Sequence, residues 1–416
     1  MADAPYVKAL SEAEFLITAP LIKGIPVWRG QGLVAVDLLV RSFASLVARR
    51  RAAPVVQHGF LASAHQNRQV FGEYDNVYEL EDVAGETGLQ MRSDNIVPNL
   101  GLLTKESSAG PIIAVGAVVR DAPGKTPPLF RDKHIWPVVE LNELAPAEEA
   151  DATLDFYREV MSDLLRLLGI PSITVETPAL AEYGKKTYLT VAALPNRRPT
   201  VLATLYQLAD RLRLALHETR QIIDVGFTGK VFATAAIIHR DHRGLVLASA
   251  VAPVQLGVIV SGSRPSPETR GWLTRLSAAG IRTEVKAVAE KNFSGRARAE
   301  RRWLRRGVPL ILGLDRTPGR IVLCSRTPLH RKDLRGLPGP AAVSALLAAH
   351  DARMYEAAKR VFDDTMSVNA HLKPLCENCV EGFPSFGVIV PKASVPCDVC
   401  GADGLQHFIS EEGRFY

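Results

Sequence analysis

The pattern of apolar runs changes at Pro253, and this change constrains the fold more than any other feature of the sequence. Before Pro253, short β-rich runs follow one another and are joined by turn-rich loops, a pattern that indicates antiparallel pairing. After it, strands alternate with helices in the order β-α-β-α-β, which predicts a compact unit with a largely parallel sheet. A chain of 416 residues, 47% of them hydrophobic, can fill two or three such cores.

The part before Pro253 is predicted to be a mixed antiparallel α/β domain. Residues 32–50 carry apolar side chains at helical spacing and end in a basic cluster, so we expect a helix that ends before Pro54. Residues 111–141 contain two apolar runs joined by the Gly/Pro-rich stretch DAPGKTPP, which predicts a long antiparallel hairpin. Residues 147–169 form the strongest amphipathic pattern, with acids early and a glycine at the end.

Four of the five cysteines form two CxxC pairs, Cys376/Cys379 and Cys397/Cys400. Each pair places two thiolates on one turn, and two such turns complete a tetrahedral zinc site. In a cytosolic chain this pattern favours structural zinc over disulfide bonds. The alternative is a site that has lost its metal and serves only the fold. Cys324 lies in an apolar run and is predicted to be a buried thiol.

The chain carries 50 basic and 44 acidic residues, a net charge of +6, and most of these charges are interspersed. Basic residues concentrate around Trp303, at Arg296, Arg298, Arg301, Arg302, Arg305 and Arg306. A helix with these arginines suits a phosphate backbone, although a solvated helix in an Arg-rich protein would show the same pattern. No run approaches the roughly 18 apolar residues of a membrane span, and the start MADAPYVKAL resembles no targeting peptide. We therefore expect a cytoplasmic protein that does not contact a membrane.

This order of elements resembles class II aminoacyl-tRNA synthetases, specifically the archaeal and eukaryotic type of prolyl-tRNA synthetase. The helix that ends before Pro54 resembles the first class motif, which forms the dimer. The stretch AVVRDAPGKTPPLFRDKHIW resembles the second motif, and GLVLASAVAPVQ resembles the third motif running into the anticodon-binding domain. The tail ending in GRFY resembles the zinc module of the family, whose last residue is a tyrosine reaching toward the active site.

The resemblance implies an α/β (α+β) chain in three parts and a homodimer. Residues 1–250 would form the class II catalytic domain with its antiparallel sheet. Residues 251–345 would form the β-α-β-α-β anticodon-binding-like domain. Residues 346–416 would form a C-terminal helix and the zinc-binding module.

The resemblance also assigns roles to individual residues. Arg120 matches the arginine that contacts the α-phosphate and the amino-acid carboxylate, and Arg131 matches the arginine of the second-motif loop, so both are expected to be catalytic. Substrate-binding roles fall on Arg92, Asp94, Lys133, Trp136, Thr204 and Tyr416. The residues expected to contact tRNA are Arg296, Arg298, Arg301, Arg302 and Arg305. The expected zinc ligands are Cys376, Cys379, Cys397 and Cys400.

Several positions depart from the motifs of the family. Ala250 stands where the third motif supplies an arginine to the ATP triphosphate, and a methyl group cannot replace a guanidinium on phosphate oxygens. Ala122 replaces the glutamate of the second motif. Residues 92–96 read Arg-Ser-Asp-Asn-Ile instead of Arg-Pro-Thr-Ser-Glu, which removes the groups that would hold the proline imino nitrogen. Residues 302–304 read Arg-Trp-Leu instead of Glu-Trp-Glu, which exchanges base readout for phosphate contact.

These departures affect the ATP-dependent half-reaction more than the transfer to tRNA, and they put the use of ATP in doubt. They predict a tRNA-dependent aminoacyltransferase in specialised metabolism, which moves an aminoacyl group from charged tRNA to an adenosine-like or other small acceptor. Two alternatives stay open. One is a working ATP-dependent proline–tRNA ligase, and the other is a non-catalytic tRNA-binding or regulatory subunit.

Overall fold

A computed structural model describes residues 4–18, 26–71, 77–81, 87–105, 110–121, 129–130, 134–178, 180–215, 217–289, 292–314, 320–368 and 371–410. The chain divides into two compact units. We name the first the α/β unit; it comprises Met1–Leu39, Leu167–Ile170 and Ala233–Lys359. We name the second the sheet unit; it comprises Val40–Arg166, Pro171–Phe232 and Arg360–Tyr416. The domain boundaries given above stay a prediction.

The described residues form the following elements, numbered in chain order. The helices are α1 (Pro5–Glu12), α2 (Gly30–Val47), α3 (Ala64–Phe71), α4 (Ile96–Lys105), a 3-10 turn (Ala147–Glu149), α5 (Ala150–Leu167), α6 (Asp210–Ala215), α7 (Lys230–His239), α8 (Pro267–Ala278), α9 (Phe293–Arg305), α10 (Pro340–Val368) and α11 (Glu377–Val380). The strands are β1 (Leu16–Thr18), β2 (Pro26–Trp28), β3 (Val55–Val56), β4 (Leu61–Ser63), β5 (Glu79–Leu80), β6 (Leu89–Met91), β7 (Ile112–Val119), β8 (His134–Ala145), β9 (Ser172–Glu176), β10 (Gly184–Ala193), β11 (Pro199–Leu208), β12 (Gln221–Thr228), β13 (Leu256–Ser261), β14 (Thr283–Val288), β15 (Leu310–Leu314), β16 (Ile321–Arg326), β17 (Leu329–Leu334), β18 (Leu372–Leu375), β19 (Ser385–Val390), β20 (Ser394–Pro396) and β21 (Asp403–Ile409).

The sheet unit is built on an eleven-stranded sheet in the order β18-β21-β19-β9-β10-β11-β12-β8-β7-β3, with β20 paired to β21. Its neighbours are antiparallel except for β3 and β7. The predicted hairpin is confirmed as β7 and β8, where Ile112 pairs with Asn142. The predicted antiparallel catalytic sheet is therefore confirmed.

Helix α4 covers one end of a face of this sheet. Its buried Leu100 and Leu103 pack in one apolar cluster with Ile112, Leu144 and Ile222. These three strand residues share a face with every second residue along β7, β8 and β12, because side chains alternate along a strand. The rest of that face carries polar groups, and it forms the floor of the candidate site described below.

The α/β unit contains a five-stranded sheet in the order β14-β13-β15-β16-β17. Strands β14, β13 and β15 are parallel, and β16 and β17 add antiparallel edges. Trp272 on α8 packs in its core with Val258 and Leu312. Trp303 on α9 is 1% exposed and packs on the opposite side, where Gly257 leaves room for its ring. The predicted β-α-β-α-β unit is therefore confirmed.

The two long helices expected near residues 32–50 and 147–169 are present as α2 and as a 3-10 turn followed by α5. Helix α2 is the one described helix that is long and apolar enough to cross a membrane. This is weak evidence for a membrane span, because the core helix of a globular domain meets the same criteria. Phe43 on α2 is fully buried and packs edge-on against Phe227 of β12, with 5.1 Å between ring centroids, as expected for such a core helix.

Candidate active site and metal site

The sheet unit contains a cavity of about 440 Å³ on the polar part of the sheet face. Strands β8, β11 and β12 form its floor. Its polar lining consists of Asp94, Arg120, Glu140, Tyr183, Thr204, Tyr206, Asp224, Thr228 and Lys230. Apolar walls come from residues such as Leu180 and Val201. A concave, partly apolar site with a few convergent charged groups is the usual form of a ligand pocket.

Strand register places the floor residues next to one another. Asp224 pairs with Tyr206 on β11 and with Asn142 on β8. Gly226 pairs with Thr204 on one side and with Glu140 on the other. Since residues two apart on a strand face the same side, these side chains line one surface. Gly226 adds no side chain between Thr204 and Glu140, and this keeps the floor open there.

Three carboxyl groups lie at the acidic end of the cavity: Asp94, Glu140 and Asp224. Burial, and then the neighbouring Asp94 carboxylate, raise the pKa of Glu140 to about 7, although the backbone N–H of Asn95 donates to Oε2 of Glu140 at 2.9 Å. Burial and the Glu140 carboxylate raise the pKa of Asp224 well above its usual range. Burial also raises the pKa of Asp94. Glu140 and Asp224 are hydrogen-bonded to each other, so the pair shares a proton.

A chain of buried side chains fixes the orientation of Asp224. Nδ2 of Asn142 donates to Oδ1 of Asp224 at 2.8 Å, and Nδ2 of Asn99 donates to Oδ1 of Asn142 at 2.8 Å. Nε2 of His58 lies 2.6 Å from Oδ1 of Asn99 and completes the chain. Such a network holds a carboxylate in a defined rotamer, which is the arrangement expected of a group that contacts a ligand.

Two cationic groups, Arg120 and Lys230, also line the floor. Arg120 directly follows β7, and its Nε donates to the carbonyl of Ser93 at 2.8 Å. Lys230 begins α7, two residues beyond Thr228, and its Nζ lies 5.4 Å from the centroid of the Phe130 ring. Along β12, Asp224 and Thr228 are about 13 Å apart at the usual rise of a strand. Arg120 interacts with Asp94 and Glu140 and so lies at the acidic end, whereas Lys230 lies at the other end.

Three of the residues predicted to bind substrate or act in catalysis line this cavity, namely Arg120, Asp94 and Thr204. Arg92 lies behind it: the side chain is 2% exposed, and Nη2 donates to the carbonyl of Ala117 at 2.6 Å. Gly116 makes room for that guanidinium, because a Cβ there would lie 2.7 Å from Nη2. Trp136 is on β8 but is not among the lining residues. The predicted Arg131, Lys133 and Tyr416 lie outside the described residues.

Sequence reasoning missed Glu140, Asp224 and Lys230. A signal for the first two was present. In VVELNEL, the polar residues Glu140 and Asn142 occupy alternate positions of a largely apolar strand, and IIDVGF holds a single acid within an apolar run. Buried acids in such runs are costly, and they mark a ligand site or a structural ion pair.

The segment that resembles the third motif lies in the α/β unit and is held by contacts within that unit. The backbone N–H of Ser249 donates to Oδ1 of Asp351 at 2.7 Å, and the Ser249 hydroxyl donates to the other oxygen of Asp351. Arg282 donates to the carbonyls of Ser249 and Ala252. Burial lowers the pKa of Arg282. The side chain of Ala250 contributes no charge here.

The basic helix α9 exposes only part of its arginine set. Arg298, Arg301 and Arg305 are exposed and share one face, because residues three and four apart are neighbours on a helix. Arg302 is paired with Glu14 at 3.0 Å. Arg296 is half-buried, and its Nη1 lies 3.3 Å from the Ser261 hydroxyl. Trp303 belongs to the core.

The predicted clustering of four cysteines is confirmed in the sheet unit. The sulfur atoms of Cys376, Cys379, Cys397 and Cys400 all lie within 4.8 Å of one another. Burial raises the pKa of the Cys397 thiol, but hydrogen bonds from the backbone N–H groups of Val399 and Cys400 outweigh it and bring that pKa down to about 6. Four thiolates at this spacing match the donor set of a structural zinc site, so these residues could hold zinc.

Comparisons with known proteins point to one family. No protein-family model matches the chain. The proline–tRNA ligase of Thermococcus kodakarensis is 24% identical over 208 residues, which cover 44% of this chain and 42% of that protein. The proline–tRNA ligase of Methanopyrus kandleri is 23% identical over 285 residues, which cover 61% of this chain and 57% of that protein. The chain thus spans less than two thirds of the length of the curated relatives that it matches.

Solved structures match over more of the chain. The prolyl-tRNA synthetase of Giardia lamblia, in complex with prolyl-adenylate, matches with a TM-score of 0.81 at 15% identity, over 99% of this chain and 97% of that one. The prolyl-tRNA synthetase of Cryptosporidium parvum, complexed with halofuginone and AMPPNP, matches with a TM-score of 0.78 at 15% identity and the same coverage. The chain is therefore a distant homologue of archaeal and eukaryotic-type prolyl-tRNA synthetases, and it has their class II fold.

Proposed function

We propose that this protein is a tRNA-dependent aminoacyltransferase, which moves an aminoacyl group from charged tRNA to an adenosine-like or other small acceptor. The observation that carries the proposal is the combination of a formed cavity containing Arg120 with a third-motif segment whose position 250 is alanine. Arg120 can stabilise negative charge on the reacting carbonyl or on an adenylate-like group. A clamp for the triphosphate is absent from the expected position, and transfer from an already activated ester needs none.

The reaction balances without ATP. A hydroxyl or amine of the acceptor attacks the ester carbonyl of the aminoacyl-tRNA, and a new C–O or C–N bond forms. The bond between that carbonyl carbon and the terminal ribose oxygen breaks. The proton of the attacking group passes to the leaving ribose oxygen. The work of the protein is alignment of the two reactants and stabilisation of the oxyanion, as expected for a class II active site.

The tRNA would contact the exposed face of α9. Arg298, Arg301 and Arg305 present three guanidinium groups on one side of this helix, which suits successive phosphates. Arg302 contributes less, because it is already paired with Glu14. Guanidinium groups donate hydrogen bonds and accept none, so we expect weak discrimination between tRNA sequences.

Zinc would have a structural role, at Cys376, Cys379, Cys397 and Cys400. Binding there would close two turns of the sheet unit and add to its stability. We also propose a cytoplasmic homodimer. The exposed apolar side chains of Leu33 and Val34 on α2 support association of two copies.

A second candidate is an ATP-dependent proline–tRNA ligase. Lys230 favours it, because a cation at the basic end of the cavity offers a contact for a phosphate group. The two candidates predict opposite results in two assays. The transferase releases the aminoacyl group from precharged tRNA in the presence of an adenosine-type acceptor, and it gives no proline-dependent exchange of pyrophosphate into ATP. The ligase gives the reverse. Silence in both assays, with tRNA still bound, would identify a non-catalytic tRNA-binding subunit.

A further inference from the structure

We infer that Glu140 and Asp224 bind a protonated primary amine, the α-ammonium group of the transferred aminoacyl residue. This inference rests on the proposed function and names the class of substrate that its cavity selects. It assigns to the sheet floor a role that the sequence motifs would place at residues 92–96. It also predicts that proline, whose nitrogen is a secondary amine, is not the preferred residue.

The charge balance around the pair supports a cationic ligand. Three carboxyl groups interact with one another there, namely those of Asp94, Glu140 and Asp224. They also interact with two guanidinium groups, those of Arg92 and Arg120. The set is one positive charge short of neutrality when all groups are ionised. Buried charges require such compensation, and an ammonium group would supply it. The charged and titratable groups that interact with the pair or line the same cavity are Arg92, Asp94, Arg120, Tyr183, Tyr206 and Lys230, with His58 linked through Asn99.

The contact between Glu140 and Asp224 on the cavity floor gives the position of the ligand. In each carboxyl group the protein already holds one oxygen: Asn95 donates to Oε2 of Glu140, and Asn142 donates to Oδ1 of Asp224. The two carboxyl groups are hydrogen-bonded to each other and share a proton. An ammonium group placed between them would replace that proton and supply the missing positive charge.

The number of donors favours a primary over a secondary amine. A primary ammonium group has three N–H donors, and the floor offers acceptors on Glu140 and Asp224 together with the hydroxyls of Thr204 and Tyr206. A secondary ammonium group has two donors and leaves one acceptor unmet. A site built to accept a hydrogen bond discriminates against a ligand that lacks the donor.

The rest of the cavity fits the same orientation. With the ammonium group between Glu140 and Asp224, the ester carbonyl would point along β12 toward Lys230, where a developing negative charge is stabilised. The reverse orientation would place the ammonium group beside Lys230 and away from Glu140 and Asp224. The polarity of the floor therefore favours a single direction of binding.

Calorimetric titration of the full chain with small amides tests the inference without tRNA. The probes are L-alaninamide, L-prolinamide and N-acetyl-L-alaninamide, which present a primary ammonium, a secondary ammonium and a neutral amide. We expect L-alaninamide to bind at least about tenfold more tightly than L-prolinamide, and the acetylated probe not to bind. Titrations in buffers of different ionisation enthalpy should show release of about one proton per ligand at pH 7.

Two variants and two matched controls complete the test. Glu140→Gln and Asp224→Asn keep the shape and the acceptor facing the protein, and each should weaken binding of L-alaninamide by about tenfold or more. Glu159→Gln and Asp163→Asn make the same changes on α5 and should leave the affinity unchanged. Equal affinity for L-prolinamide, or unchanged affinity in both site variants, would overturn the inference. The transfer assay is independent: transfer without ammonium selectivity refutes the inference alone, and selectivity without transfer refutes the function alone.

Discussion

The buried Glu140 should make the sheet unit less stable as the pH rises. Its pKa lies near 7 in the folded chain, against an ordinary value of 4.5, because burial and Asp94 disfavour the ionised form. Between these two pH values the folded state keeps a proton that the unfolded state has released, so the free energy of unfolding falls as the pH increases. This difference in pKa corresponds to about 3 kcal/mol in the free energy of unfolding, and that contribution to stability is fully lost above pH 7.

Glu140→Gln removes the contribution of Glu140 to this dependence, because a neutral amide keeps the acceptor for Asn95 and adds no charge. The variant and the natural chain should therefore be similarly stable near pH 4.5, and the variant should be more stable by about 3 kcal/mol at pH 8. Hydrogen exchange of peptides from β8 and β12 measures the opening free energy of this part of the sheet. Comparing the two chains at each pH cancels the intrinsic exchange rates.

Glu159→Gln on the surface of α5 is the control, and it should show no pH-dependent difference. Equal opening free energies for Glu140→Gln and the natural chain at pH 5 and pH 8 would refute the argument. That result would mean that Glu140 is ionised at little cost in the folded chain.

Three further predictions concern the charged and metal-binding groups. Arg120→Lys should slow single-turnover transfer by about 100-fold while tRNA affinity stays unchanged, because a lysine cannot replace a bidentate guanidinium; an unchanged rate would remove Arg120 from the reaction. Replacing Arg298, Arg301 and Arg305 together by alanine should reduce the slope of the logarithm of the tRNA-binding constant against the logarithm of salt concentration by about 2 to 3 units. Arg302→Ala should reduce this slope by less than about 1 unit. Equal effects of the two changes would contradict the pairing of Arg302 with Glu14. Cys397→Ser should abolish a bound zinc content of about one per chain by elemental mass spectrometry, and Cys324→Ser should leave it intact; equal zinc contents would refute the site.

The sequence predicted most of the strands and helices because their apolar residues repeat at the right period. The β7–β8 hairpin, α5 and the β13–α8–β14–α9–β15 unit all have this signal. Strand β17 has no such signal: it is an exposed antiparallel edge, and its residues LHRKDL are almost all solvated. Charged edge strands of this kind protect a sheet from pairing with another chain. Their sequences therefore resemble loops.

The candidate site was only partly predictable. Arg120, Asp94 and Thr204 could be placed from their motifs, and the structure brings all three to one cavity. Glu140 and Asp224 belong to no motif, and their meeting depends on the register of β8 and β12. Periodicity within one strand shows which side a residue faces, but it does not show which residue of a distant strand lies opposite. The shared proton and the charge balance follow from that pairing.

Alone among the assays, single-turnover transfer in the absence of ATP tests the central claim directly. The purified full chain would be mixed with excess precharged aminoacyl-tRNA and an adenosine-type acceptor, and the acceptor would be followed by mass spectrometry. The account predicts an acceptor that gains the aminoacyl mass, at a rate that falls in Arg120→Lys and is unaffected by added ATP. An acceptor that stays unmodified while proline, ATP and uncharged tRNA yield prolyl-tRNA would contradict it.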